Sequence, residues 1–378
     1  MKIIFINQSF DVSFGGPAFS VPLLAHGLSE FGLHPVFLDT NSGTLNKNPI
    51  IQEHGYAWHS ATCRGPSILK FAPDLYQLII DEIEPGNTIV NINNPWNFVP
   101  YYTLKACKRT DTPFIISLRG SFFPWSLKQG RFRKIIAWNF FQREMIEKAK
   151  YIHATSEEEA WSFKRLNSTA EVRVVPNPVE LPVIDQRTSK HEAKSKLGWD
   201  IQNKHLLFFS RIHPKKGLEY VIEAMACDPH SNVKLKIAGG IDDKEYWKKI
   251  NNLIMRHALA SRVDYLGLVD PSQKELFFSA CDVFVLTSHS ENFGMSIAEA
   301  MAYERPVLIS KEVPWKSTDR LGAGWIVDLD INVIAKTLKE INEVNEEKLK
   351  AMGVAARSYA GDFAMHKTSR KFFETFLT

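Results

Sequence analysis

Short apolar runs recur along this chain, each followed by a polar or glycine-bearing turn and then by apolar positions at helical spacing. Residues 2–6, 35–38, 88–92, 114–118, 151–154 and 172–175 read as strands. A helix near 18–31 follows the Gly15-Gly16-Pro17 turn. Three prolines then fall within seven residues, at Pro176, Pro178 and Pro182. That stretch is too rigid and too poor in N–H donors for a helix or a central strand. The pattern restarts beyond it, with strands expected at 205–210, 233–238, 263–266, 282–286, 306–309 and 324–327. Helices are expected near 218–227, with Leu218, Val221, Ile222 and Met225 on one face, near 243–257, and from Gly294 onward. Strands alternating with helices predict parallel α/β sheets. The proline break predicts two doubly wound domains, residues 1–180 and 181–360, with a ligand cleft at the carboxyl ends of the strands.

Length supports this division, since single cores rarely grow beyond about 250–300 residues. The formal net charge of +4 over 378 residues is too small to argue for nucleic acid. Cys63, Cys107, Cys227 and Cys281 are scattered, with no CxxC pair and no metal-ligand spacing, which fits a reducing compartment. The apolar start, Ile3 to Ile6, is too short for a signal-peptide core. No run approaches the roughly 18 apolar residues of a membrane span. The expectation is a cytoplasmic protein, soluble or peripheral on the inner face of the membrane.

Glu291 and Glu299 stand eight apart, a spacing that chance alone would produce roughly five times in a chain this acidic. Their setting is what matters. A buried strand precedes them, a small polar turn holds Glu291, and a helix opens at Gly294. Backbone N–H groups at 293–296 would then be unpaired donors at the positive end of a helix, an anion site. The run from Ser288 to Ala302 resembles the E-x7-E motif of retaining glycosyltransferases of family four, which have the GT-B fold. The resemblance implies that Glu291 holds donor-sugar hydroxyls and Glu299 the ribose, while Phe293, Gly294, Met295 and Ser296 bind the diphosphate, with Asn292 also on the donor side. Arg211 and Lys216 resemble the second signature of that family, two cations that neutralise the departing diphosphate. Gly239-Gly240 matches its donor-side loop, Val263–Gly267 its nucleobase-side strand, and Gly16 its close-approach loop in the first domain.

The resemblance further implies two Rossmann-like domains facing each other across a cleft, the first on the acceptor side and the second binding the nucleotide-sugar. A C-terminal helix over 361–378 is expected to pack back towards the first domain. One departure stands out: Arg119 occupies the strand end where many relatives carry a histidine. An arginine cannot act as a base, so Arg119 is read as a donor-side cleft residue that pairs with phosphate or with an acidic acceptor. Asn94 and Trp96, after the strand at 88–92, are candidates for the acceptor side and equally for a capped turn. Asp242-Asp243 reads as a helix N-terminus, and neither metal nor cofactor is expected.

Residues 105–151 carry eleven Lys or Arg against three acids, interleaved with Trp125, Phe132, Trp138, Phe140 and Phe141. An anionic membrane surface suits such a segment; an amphipathic helix with its rings in the core is the other reading. The function expected is transfer of a hexose from a nucleotide diphosphate sugar, with retention, to a glycan or lipid-linked oligosaccharide acceptor in cell-surface polysaccharide biosynthesis (O-antigen, capsule or similar). A nucleotide-sugar epimerase of the same fold, and a non-catalytic glycan- or membrane-binding module, are the alternatives.

Overall fold

The computed structural model describes every residue except 42–47, 67–68, 94, 167–168, 170 and 185–186. It divides into two units, one formed by Met1–Pro178 with Met365–Thr378, the other by Val179–Ala364. In the first, strands β1 (Lys2–Ile6), β2 (His34–Asn41), β3 (Ala57–Thr62), β4 (Thr88–Asn93), β5 (Phe114–Ser117), β6 (Tyr151–Ala154) and β7 (Val172–Val174) make a parallel sheet ordered β3-β2-β1-β4-β5-β6-β7. The central strand is apolar on both faces, as helix-covered parallel sheets require. Ile3 and Phe5 join a core with Leu24, Phe372 and Phe376. Ile4 and Ile6 enter a second core with Leu75, Tyr102 and Met145.

The helix Gly16–Ser29 begins at the glycine turn, with a proline at its start. Against it packs the helix Met365–Phe376. The alternation had not pointed to β3. Its sequence, Ala-Trp-His-Ser-Ala-Thr, is an edge strand with most side chains exposed or half-exposed, so it carries no apolar run.

The second unit holds β8 (Lys204–Phe209), β9 (Val233–Ala238), β10 (Val263–Gly267), β11 (Val283–Leu286), β12 (Val307–Ser310) and β13 (Gly324–Val327). These are parallel in the order β10-β9-β8-β11-β12-β13. Each sheet therefore reverses its winding direction once, between β1 and β4 in the first and between β8 and β11 in the second. The carboxyl ends of those strand pairs form the crevice where open α/β sheets hold ligands.

Candidate active site

In the second unit, the loops at the reversal are Ser210–Gly217 after β8 and Thr287–Gly294 after β11. Gly217 has φ +64°, and a Cβ there would lie 2.1 Å from the Thr287 carbonyl oxygen, so only glycine lets the two loops touch. Two hydrogen bonds fasten them together. Thr287 Oγ1 donates to the Gly217 carbonyl at 2.8 Å. The His289 amide donates to the Lys215 carbonyl at 2.9 Å. Upstream, the His213 ring accepts from the Lys215 amide at 3.0 Å and caps the turn Pro214–Lys216.

The result is that Lys216 Nζ sits 2.6 Å from Glu291 Oε1, with the side chains only 16% and 10% exposed. Ser288 Oγ donates to the same carboxylate oxygen at 2.7 Å. Burial works to raise the Glu291 carboxyl. The charges of Lys216 and Lys215, with the hydrogen bonds from Lys216 and Ser288, outweigh burial and hold it below its ordinary value. Removing one partner of such a pair strands a buried charge, which costs about 3–5 kcal/mol. The Glu291 carboxylate is thus held beside Lys216 with its pKa below the ordinary value.

Beyond Glu291 the chain enters the helix Met295–Ala302 through Gly294, at φ +81°. The Ile297 and Ala298 amides donate back to the Gly294 carbonyl at 3.0 and 3.1 Å. The Met295 and Ser296 amides have no acceptor within the helix and carry its positive end. Phe293 contributes no side chain to this site. Its ring is buried against Trp315 and Phe363, at 5.2 and 5.5 Å between centroids, and Trp315 Nε1 donates to its carbonyl at 2.6 Å. Phe293 thus anchors the loop from below, while Asn292, Met295 and Ser296 are half-exposed. Glu299 pairs with Lys274, both one-fifth exposed. Lys274 carries no motif in the sequence, and only the fold brings it to Glu299.

Arg211 is 61% exposed and pairs with Asp242 at 2.8 Å, a surface contact worth at most about 1 kcal/mol. Its guanidinium can therefore be recruited cheaply. Asp243 caps the helix Lys244–Arg256 by accepting from the Tyr246 amide at 2.9 Å. Gly239 closes β9 so tightly over β8 that a Cβ would stand 2.0 Å from the Ser210 carbonyl oxygen, whereas Gly240 has room for a side chain. Among the described residues, no three His, Cys, Asp or Glu side chains gather as a metal site.

In the first unit, Gly16 is the exposed first residue of its helix, and the positive φ of that turn, +82°, belongs to Gly15. Arg119 has φ +50° and is only 9% exposed. Its Nε donates to Asn93 Oδ1 at 2.9 Å, and its Nη1 to Asn177 Oδ1, in the proline stretch. Its Nη2 is buried with no hydrogen-bond partner. Burial lowers its pKa to about 10, partly offset by Glu159. Asn94 lies outside the described residues. Trp96 is half-buried, donates to the Ser121 carbonyl at 2.8 Å, and has Lys134 Nζ 5.3 Å from its ring centroid.

Trp96 also lines a cavity of about 420 Å³ together with Gln8, Asn97, Arg133, Lys134 and Phe140 among others. Gln8, Asn97, Arg133 and Lys134 had not been singled out individually, because their segments are far apart in sequence. In the basic segment 105–151, Phe141 is in the core, whereas Phe132 and Phe140 are 76% and 62% exposed.

Two family models match the chain. "Glycosyl transferases group 1" covers residues 189–359, and "Glycosyltransferase Family 4" covers residues 14–182. Between them they leave out only the two ends and residues 183–188. The chain belongs to the family-four type of GT-B glycosyltransferases. It is similar to the alpha-monoglucosyldiacylglycerol synthase of Streptococcus pneumoniae, 33% identical over 145 residues, 36% of this chain and 32% of that protein. The chain thus spans about a third of the length of that relative. Its fold is that of Anabaena Alr3699/HepE, solved in complex with UDP and glucose, with TM-score 0.81, 21% identity and full coverage of both chains. WaaG, a glycosyltransferase involved in lipopolysaccharide biosynthesis, superposes with TM-score 0.75 and 16% identity over 99% of each chain. Among the described residues, no helix is long and apolar enough to cross a membrane.

Proposed function

We propose that the chain moves a hexose from a nucleotide diphosphate sugar, with retention and without metal or cofactor, to a lipid-linked glycan acceptor of a cell-surface polysaccharide. The observation that carries this reading is the buried Lys216–Glu291 pair beside the open end of the helix Met295–Ala302. In this scheme the diphosphate sits on the Met295 and Ser296 amides. Lys216 and Arg211 turn to it as charge grows on the leaving oxygen. Glu291, released from Lys216, accepts hydrogen bonds from sugar hydroxyls, and Glu299 accepts from the ribose. The anomeric C–O bond to phosphate breaks as the acceptor oxygen bonds to the same face. The acceptor proton passes to the leaving phosphate, so no protein base is required.

A solved neighbour that carries UDP, a relative named for a glycolipid product and the basic, ring-bearing surface of the first unit support the donor and lipid parts of the reading. The epimerase alternative asks for free acids in the first unit. Two buried ones there, Asp39 and Glu159, are already committed to the backbone amides of Phe10 and of Thr155 and Gly120. The test is to incubate the protein with a panel of nucleotide-sugars and follow donor hydrolysis. Turnover of at least one, with a thermal shift by its nucleoside diphosphate, is expected. No hydrolysis and no shift by any nucleoside diphosphate would sink the enzyme reading.

A further inference from the structure

The cavity in the first unit lies at the carboxyl ends of β1, β4 and β5, where that sheet reverses its winding: Gln8 follows β1, Trp96 and Asn97 follow β4, and Ser121 follows β5. That is the ligand position of an open α/β sheet, and about 420 Å³ is within the range of small-molecule sites. Among the described residues its lining contains two cations, Arg133 and Lys134, and no carboxylate. Lys134 Nζ reaches Ser126 Oγ at 3.3 Å and lies over the Trp96 ring. Apart from Gln129, the remaining wall is apolar, including Leu69, Phe98, Ile136, Phe140 and Phe141.

One wall comes from the segment after β5. Its helices, Pro124–Lys128 and Arg131–Ala137, bury no residue at all. Next to the cavity, this segment leaves Phe132, Ile135, Ile136 and Phe140 between 49% and 76% exposed. Apolar side chains grouped on a surface are a cost while they face water, and here two cations stand beside them. They are complementary to a molecule that is anionic at one end and hydrocarbon at the other.

We infer that this cavity binds one molecule of a lipid phosphate, with the phosphate on Arg133 and Lys134 and the hydrocarbon along Ile136 and Phe140, as the anchored end of the acceptor. The assignment as acceptor rests on the glycosyltransferase reading above; the binding itself does not. The full chain is titrated with farnesyl phosphate below its aggregation concentration, with farnesol and inorganic phosphate in parallel, by tryptophan emission. Farnesyl phosphate is expected to bind at least about tenfold more tightly than either control. Arg133→Gln removes an exposed side chain, so the fold should persist while farnesyl phosphate binding weakens about tenfold. Lys134→Arg keeps the charge and should weaken it by less than about threefold.

Equal affinity for farnesol and farnesyl phosphate, or no effect of Arg133→Gln, overturns the proposal. So does binding seen only with phosphatidylglycerol vesicles and weakened equally by Arg133→Gln and Lys128→Gln, which would make this a membrane-facing surface. UDP thermal shifts on the same samples separate the two ideas. Farnesyl phosphate binding without any nucleoside diphosphate shift supports the cavity and removes the enzyme reading instead.

Discussion

The two sheets reverse their winding in the same way, yet the ends they present are built on opposite principles. At β8 and β11 the crevice is ionic: a lysine and a glutamate face each other, and glycine contacts and backbone hydrogen bonds hold their loops in place. At β1 and β4 the crevice is a largely apolar cavity whose charges are all of one sign. Its neighbouring arginine, Arg119, is held inside the unit by asparagines. An ionic crevice with both signs present can trade partners with a ligand that carries both phosphate and hydroxyls. An apolar cavity with one sign of charge selects by shape and by a single anionic group. The same topology therefore carries an ion pair of both signs at one reversal and a largely apolar cavity with one sign of charge at the other.

That contrast can be broken most severely at Lys216. Lys216→Ala is expected to lower donor turnover on the order of 10²–10³-fold. A kcat that stays within about tenfold of the unsubstituted protein, while unfolding free energy falls by about 3–5 kcal/mol as expected for a stranded charge, would make the lysine structural, and the contrast would collapse.

A smaller effect contrasts carboxylates that titrate in opposite senses. In the first unit, burial raises Asp39 to about 6, despite hydrogen bonds from Ser60 and the Phe10 amide. Its folded form holds a proton that the unfolded chain has released, so its contribution falls as pH rises from about 4 to 6, by about 3 kcal/mol. Glu291 behaves in reverse. Its folded value is lowered, so its contribution is present above the ordinary carboxylate range and disappears as pH falls through the folded value. Urea midpoints between pH 4 and 6 should show a downward slope that Asp39→Asn flattens; an unchanged slope would place the titration elsewhere.

Arg211→Ala should reduce kcat/KM about 10–100-fold while stability changes by less than about 1 kcal/mol, because its ion pair is exposed. A stability loss as large as the kinetic one would mean that Arg211 serves the fold. The mildest effect is expected at Lys274→Ala. Its pairing with Glu299 is partly screened, so a rise of about 2–5-fold in the donor KM with kcat intact is expected. A fall in kcat of tenfold would move Lys274 into the charge-stabilising set.

Much of the architecture was legible because its central strands are apolar on both faces and its turns are marked by glycine and proline. The second crevice was legible for a different reason. Arg211, Lys216 and Glu291 each sit next to a strand end, so a linear motif maps directly onto one place. Other features were not open to such reading. Phe293 appears in the motif as one more loop residue, and only Trp315 and Phe363 reveal its ring as core. Arg119 reads as a cleft cation free to meet phosphate until Asn177, 58 residues away, is placed beside it. The cavity draws on residues 8, 69, 96–98, 121 and 129–141, and no local pattern joins segments so far apart.

The helix Met365–Phe376 has a consequence for how the protein is made. Phe372 and Phe376 fill the core of the unit that contains residues 1–178, and the second unit's entry and exit are tied where the Val179 amide donates to the Phe363 carbonyl at 2.8 Å. During synthesis the second unit has its whole sequence in hand once residue 364 is out. The first unit, begun earlier, must wait with Leu24 and Phe5 lacking their partners until the final helix emerges. The half that starts folding first is the last to be completed, and a chain stopped short of Met365 would leave that half, rather than the second, for the cell's quality control to find.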